Sequence, residues 1–435
     1  MMIQHTSTAS SLSHHAAALR CLALVASIAL ACACDSDASA AKPESALARS
    51  TPSTQARPRS VSHAFLLDVA FTAASAFPTV PHARNRARIQ ESVVSTCIAL
   101  NEDLLAVRCI EKMEGWRRGL ATANYAYRLA QRGEREKARH YLGLVVDLLV
   151  PLGAVTEEDT GSQTWQKERI LARIAGAYTL LGEPEQAARH GQGLGEAEVG
   201  VLLAARAGAA SGAELDSHIL LVEQLFANGS FDQARSALAI CAELFDRLRD
   251  DPERAAKLGV TMRAGWTRVP LFVRIEGLAD MARRAADRQD FVKTLELVAE
   301  AEGLADQGAW TAQDGIAMGA KLAGLRHAAG DPVRARELLD REVAAYATRR
   351  GEINDIDRCD VVLALAEAFH LAGHESEALR HYRTALEESL TNPNSRPRAE
   401  DLAAICCSMA RCNVEPDEAL RARLVQVCDG LGNPW

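Results

Sequence analysis

The sequence predicts an all-α fold, a stacked array of about seven to eight helical hairpins. Three observations carry that prediction. Alanine supplies about 80 of 435 residues while aromatics make up only 5%. Ala and Leu are strong helix formers, and a sandwich or barrel would draw more heavily on Val, Ile, Thr, Tyr and Phe. Short breaks recur inside stretches of helical periodicity, clearly at Gly133, Gly182, Gly229, Gly330 and Gly373 and more weakly at Asn101, Gln289 and Val414. Small side chains stand at fixed distances from those breaks. Five residues after them come Ala106, Ala138, Ala187, Ala234, Thr294, Ala335, Ala378 and Ala419; seven before them stand Val94, Ala126, Ala175, Val222, Ala282, Ala323, Ala366 and Cys407. Antiparallel helices approach closely only where facing side chains are small, and Gly at the turn tolerates the left-handed backbone that ends the first helix.

Taken in chain order, the first element is an export signal. Cys21 to Ala31 reads CLALVASIALA, an uncharged apolar run preceded by Arg20. It is too short to cross a bilayer as a helix and fits a signal-peptide core. Ala29-Leu30-Ala31-Cys32 resembles a bacterial lipobox, which implies lipidation at Cys32, and Ala31-Cys32-Ala33-Cys34 offers Cys34 instead. Ala29-x-Ala31 also satisfies ordinary signal cleavage, so both outcomes stay open. Asp35 to Ser60 is rich in Ala, Ser, Pro and Thr and cannot form a core. The expected division is therefore 1–31 signal peptide, 32–60 lipidation region and tether, and 61–435 helical repeat domain.

Leu66 to Phe77 reads as a lone second helix ending at Pro78, a half unit that opens the array. Trp116 and Trp165 each lie 17 residues before their turn Gly, and Trp310 lies 20 before its own. All three read as anchors between neighbouring repeats. The clearest repeats are AYRLAQRGEREKARHYL (Ala126 to Leu142), AGAYTLLGEPEQAARH (Ala175 to His190) and AEAFHLAGHESEALRHY (Ala366 to Tyr382).

These segments resemble the tetratricopeptide repeat, and the resemblance covers about 85% of the chain. It is degenerate: successive breaks lie 32, 49, 47, 60, 41, 43 and 41 residues apart, against a family period of about 34. Extended helices or inserts are expected around Leu152 to Thr164, Glu196 to Ala213 and Arg249 to Pro270. The family register implies a partner-binding groove along the first helices, with Tyr127, Thr179, Glu223, Phe226, Arg283, His327, Glu367 and His370 facing it. The Lys and Asn clamp by which some members grip a C-terminal carboxylate is missing from these positions.

Charge and motifs narrow the function. Lys+Arg 49 against Asp+Glu 57 gives a formal net charge of −8, the wrong sign for a general nucleic-acid binder. No phosphate loop, nucleophile elbow or H-E-x-x-H motif occurs. Gly191-Gln192-Gly193-Leu194-Gly195 follows a helix, not a strand, and reads as a helix stop. His370 and His374 are separated by the turn Gly373, so they do not share a face as metal ligands would. No metal or cofactor is expected. Of the cysteines, Cys97 with Cys109 and Cys412 with Cys428 could form disulfides within hairpins, while free buried thiols are the default. The expected function is an envelope-anchored scaffold or adaptor for a protein or peptide, touching the membrane only through its lipid. Two alternatives stand beside it: a cytoplasmic regulatory repeat protein, and an enzyme on an all-helical toroid, which would need clustered carboxylates or a Tyr/His pair in a deep cavity.

Overall fold

The computed structural model describes residues 61–149 and 160–435, which form nineteen α-helices and no strand. The expected signal peptide, both candidate lipidation cysteines and the expected tether lie outside the described residues. Nine helices make an inner layer: α2 (Thr79–Ala99), α4 (Gly115–Gln131), α6 (Thr160–Leu180), α8 (Glu196–Ala209), α10 (Phe231–Arg247), α12 (Leu271–Asp287), α14 (Ala312–Ala328), α16 (Asp355–Leu371) and α18 (Ser395–Arg411). The others lie outside them: α1 (Val61–Ala76), α3 (Asp103–Glu111), α5 (Arg135–Leu149), α7 (Pro184–Gly191), α9 (Glu214–Asn228), α11 (Pro252–Gly265), α13 (Phe291–Ala305), α15 (Pro332–Arg349), α17 (Glu375–Leu390) and α19 (Glu418–Asp429).

Packing separates the layers. Each inner helix packs on the inner helices before and after it, and the series closes because α18 packs on α2. Outer helices pack on one another most at α9 with α11 and α1 with α19, and elsewhere meet mainly through polar pairs such as Tyr346–Glu388 between α15 and α17 and Arg263–Glu300 between α11 and α13. This is the signature of a ring, since the layer with the shorter circumference is the one whose helices must touch. The array expected from the sequence is therefore present, with nine hairpins, and it is closed on itself.

All eight residues placed seven before a break are buried. Seven of the eight residues placed five after are buried too; Ala419 is exposed and Leu420 fills its place. Asn101, Gly133, Gly182, Gln289, Gly330 and Gly373 all have left-handed backbone, with φ between 57° and 89°. At the last break the left-handed residue is Asn413, not Val414. Gly229 is a genuine correction. Its backbone is extended (φ −87°, ψ 146°), and it joins an outer helix to the next inner one. The true turn of that repeat is Gly212, left-handed at φ 54°, and a further turn at 248–251 separates α10 from α11. Glu196 to Ala213 and Arg249 to Pro270 are thus not inserts: they hold α8 and α11, and the long intervals around Gly229 dissolve into ordinary repeats.

Local capping supports this register. Asp251, Asp290, Asp331 and Asp417 each cap an outer helix by accepting a backbone N–H at 3.1, 3.0, 3.2 and 2.9 Å. Inner α10 and α14 start instead on Ser230 and Thr311.

Closure depends on the half unit. Helix α1 packs chiefly on α18, as extensively as an outer helix packs on its own inner partner, whereas α18 makes few contacts with α19. Leu66, Leu67 and Phe77 are fully buried, and one apolar core runs continuously from both ends of the chain. Burying such side chains contributes about 1.5–3 kcal/mol each. Around them His63 bonds Asn413 at 3.0 Å, Arg88 pairs with Glu400 at 2.8 Å, and Phe77 meets Trp435 at 5.2 Å between ring centroids.

Candidate functional site

The inner helices carry two dense polar networks, one at α10 and α12, where buried Arg284 meets Asp246, Glu243 and Asp280, and one built by α16, α17 and α18. Ser408 on α18 points its hydroxyl to Glu367 Oε1 on α16 at 2.6 Å, and Arg411 donates to the same oxygen at 3.2 Å. Tyr382 on α17 lies 2.9 Å from the Ser408 oxygen. Because the single Ser408 proton goes to the carboxylate, the Tyr382 hydroxyl must be the donor. Burial pushes the Glu367 carboxyl up, but the charge of Arg411, the Ser408 hydrogen bond and the charge of Arg283 on α12 hold it below its ordinary value. Burial pushes the neighbouring Cys412 thiol up to about 12, with Glu367 adding to it.

Ser408 and Tyr382 are buried, whereas Glu367 and Arg411 are partly exposed. The hydroxyls therefore fix the carboxylate rather than offer a nucleophile; Ser408 and Arg411 both bond its Oε1, with the charge of Arg283 acting on it from α12. Arg283 Nε is buried without a hydrogen-bond partner. Such an arrangement favours an incoming anion.

Other groove candidates fall into distinct environments. Tyr127 lies over α6 where Gly176 makes room, a Cβ there reaching 3.0 Å from the ring, and Arg173 stands 5.3 Å above that ring. Thr179 bonds back to Ala175 O at 3.0 Å. His327 is half-buried on α14, and His370 contacts Glu375 at 2.9 Å. Glu223 and Phe226 require correction: they belong to outer helix α9, and Phe226 is only 3% exposed, packed on Gly265 in the core. The wrong register at Gly229 put them on the groove. Ser408 and Arg411 were missed because the last break was placed at Val414 and no candidate was taken from that hairpin.

Histidines do not gather. His381 stacks on Phe369 at 4.9 Å, and burial, with Arg380, pushes its pKa down to about 4. Among the described residues no group of three or more His, Cys, Asp or Glu is arranged to hold a metal.

Cys97 and Cys109 are free buried thiols in hydrogen-bonding contact, so that pair is brought together. Cys412 and Cys428 are not: Cys412 belongs to the Tyr382 and Glu367 network, and Cys428 points to Val69 O of α1. The reason is that α1, rather than α19, covers α18.

Trp116 and Trp165 meet edge-to-face at 5.0 Å, as expected between repeats, though Trp165 remains 43% exposed. No helix among the described residues is long and apolar enough to cross a membrane. The chain matches no protein-family model, no curated protein and no solved structure.

Proposed function

We propose that this is an exported, lipid-anchored scaffold of tetratricopeptide-like repeats that binds an acidic peptide segment of a protein partner on the inner wall of its ring. The observation that carries the reading is the Arg411–Glu367–Ser408 network joining α16 to α18, with the charge of Arg283 on α12 acting on the same carboxylate. Ring closure supports a segment as the ligand rather than a folded body, because a closed wall admits what enters through its ends. Export and anchoring rest on the apolar run before Cys32 and Cys34.

Capture from membrane fractions tests the site. Arg411→Glu should lower partner recovery at least tenfold while thermal melting shifts little, since the pair it breaks is partly exposed. Undiminished recovery would remove the inner wall from the account. Labelling with a palmitate analogue in wild type, Cys32→Ala and Cys34→Ala tests the anchor; an unlabelled wild type in the soluble fraction would refute it.

A further inference from the structure

Away from the inner wall, outer helices α13 and α15 diverge over α14, leaving a groove of about 400 Å³. Its lining is mixed, an apolar strip bordered by Glu302, Asp306 and three arginines. Met318, Leu322 and Leu338 line it, and Trp310 forms one wall, held by its indole N–H donating to Ala305 O at 2.6 Å. At the bottom lies Glu342, only 6% exposed. Gly319, inside α14, makes room for that carboxylate, since a Cβ would come within 2.5 Å of Oε1.

A carboxylate buried here is costly to the fold, because a Leu or Met of similar volume would fit against the apolar strip without desolvation. A mid-helix Gly adds about 1 kcal/mol more. Among the described residues the one hydrogen-bonding partner of Glu342 is Arg341. Adjacent residues on a helix do not face each other, so Arg341 folds back across the groove mouth, with its side chain 61% exposed. It donates twice to Oε1, at 2.9 and 2.7 Å, and leaves Oε2 without a hydrogen bond. Burial raises the Glu342 pKa, against the opposing effect of Arg341. The arginines at the rim are already satisfied: Arg334 pairs with Glu337 and Arg349 with Glu352, each at 2.8 Å. Asp306 adds a further negative charge to the lining.

We infer that this groove binds an alkylammonium group on an aliphatic stem, the side chain of a lysine in a partner, with Glu342 as counter-ion and Arg341 as the resident cation it displaces. The strip of Met318, Leu322 and Leu338 takes the stem, Trp310 provides an aromatic surface suited to a cation, and Oε2 accepts the ammonium.

Titration calorimetry on the full chain with Nα-acetyl-lysine N′-methylamide, and with the norleucine compound that lacks the ammonium, tests the assignment. The lysine probe should bind at least tenfold more tightly than the norleucine probe. Glu342→Gln should abolish that preference, and Arg341→Ala should strengthen lysine binding threefold or more, because its competitor is gone. Equal binding of the two probes, or weaker binding by Arg341→Ala, would overturn the inference. If melting shows that Glu342→Gln does not fold, the probe pair and Arg341→Ala decide alone. The inner-wall variant Arg411→Glu should bind the lysine probe normally, which keeps this site separable from the partner site.

Discussion

Two inner–outer helix pairs stand side by side in the ring and differ in how they are joined. Helices α16 and α17 are consecutive, linked by the left-handed turn at Gly373; α18 and α1 make an equivalent pair from opposite ends of the chain. Both bury a continuous apolar seam. The turn therefore does not create the packing; it lowers the entropy lost in bringing two helices together, and α1 is held to α18 by side chains and by its short link to α2, with no direct turn between the two.

The largest effect should come from breaking that seam. Leu66→Ala in α1 and Leu386→Ala in α17 remove the same fully buried volume and should each cost about 2–5 kcal/mol. Their consequences should diverge: hydrogen exchange in the Leu66 variant should report opening of α1, joined to an inner helix only through residues 77–78, while α17 in the Leu386 variant, joined to inner helices at both ends, stays docked until global unfolding. Identical exchange patterns would mean that the seam behaves as an ordinary hairpin.

Next in size is pH. His381 sits in the α16–α17 interface with a folded pKa of about 4, below the unfolded value of 6.5. The unfolded chain binds the extra proton first, so this stability is complete above about pH 6.5 and is lost as pH falls toward 4, by up to about 3 kcal/mol. Melting at pH 7 and 4.5 should show a loss that His381→Phe removes, with exchange at low pH rising in α16 and α17.

The smallest effect sharpens the comparison at the turn. Gly373→Ala meets no atom within 4 Å, so its cost is the left-handed backbone alone, about 1 kcal/mol. Denaturant midpoints that do not move would mean the turn contributes nothing the seam lacks.

Much of the fold was legible because it rests on local rules. Small residues at fixed distances from a turn, and an orphan helix at Leu66 to Phe77, required no long-range information. What misled was treating Gly229 as a turn for its residue type alone. Asp250-Asp251-Pro252 repeats the pattern of Gly182-Glu183-Pro184 and Gly330-Asp331-Pro332, a turn followed by an acid and Pro at the start of an outer helix. That signal would have located the missed hairpin and moved Glu223 and Phe226 off the groove. The inner-wall network was less accessible. Glu367 was identified, but its meeting with Ser408 and Arg411, under the charge of Arg283, depends on the curvature of the whole ring, which no short segment encodes. Closure was illegible for the same reason.

The placement of α1 also sets an order in time. Helix α1 leaves the ribosome more than 300 residues before α18, the surface that covers Leu66, Leu67 and Phe77. Whenever the chain is delivered N-terminus first, the apolar face of α1 has only α2 to pack on until α18 arrives. Every other outer helix follows its inner mate almost at once. The seam between α1 and α18 is thus the last around the ring to close, and until it does the first helix keeps part of its apolar face uncovered.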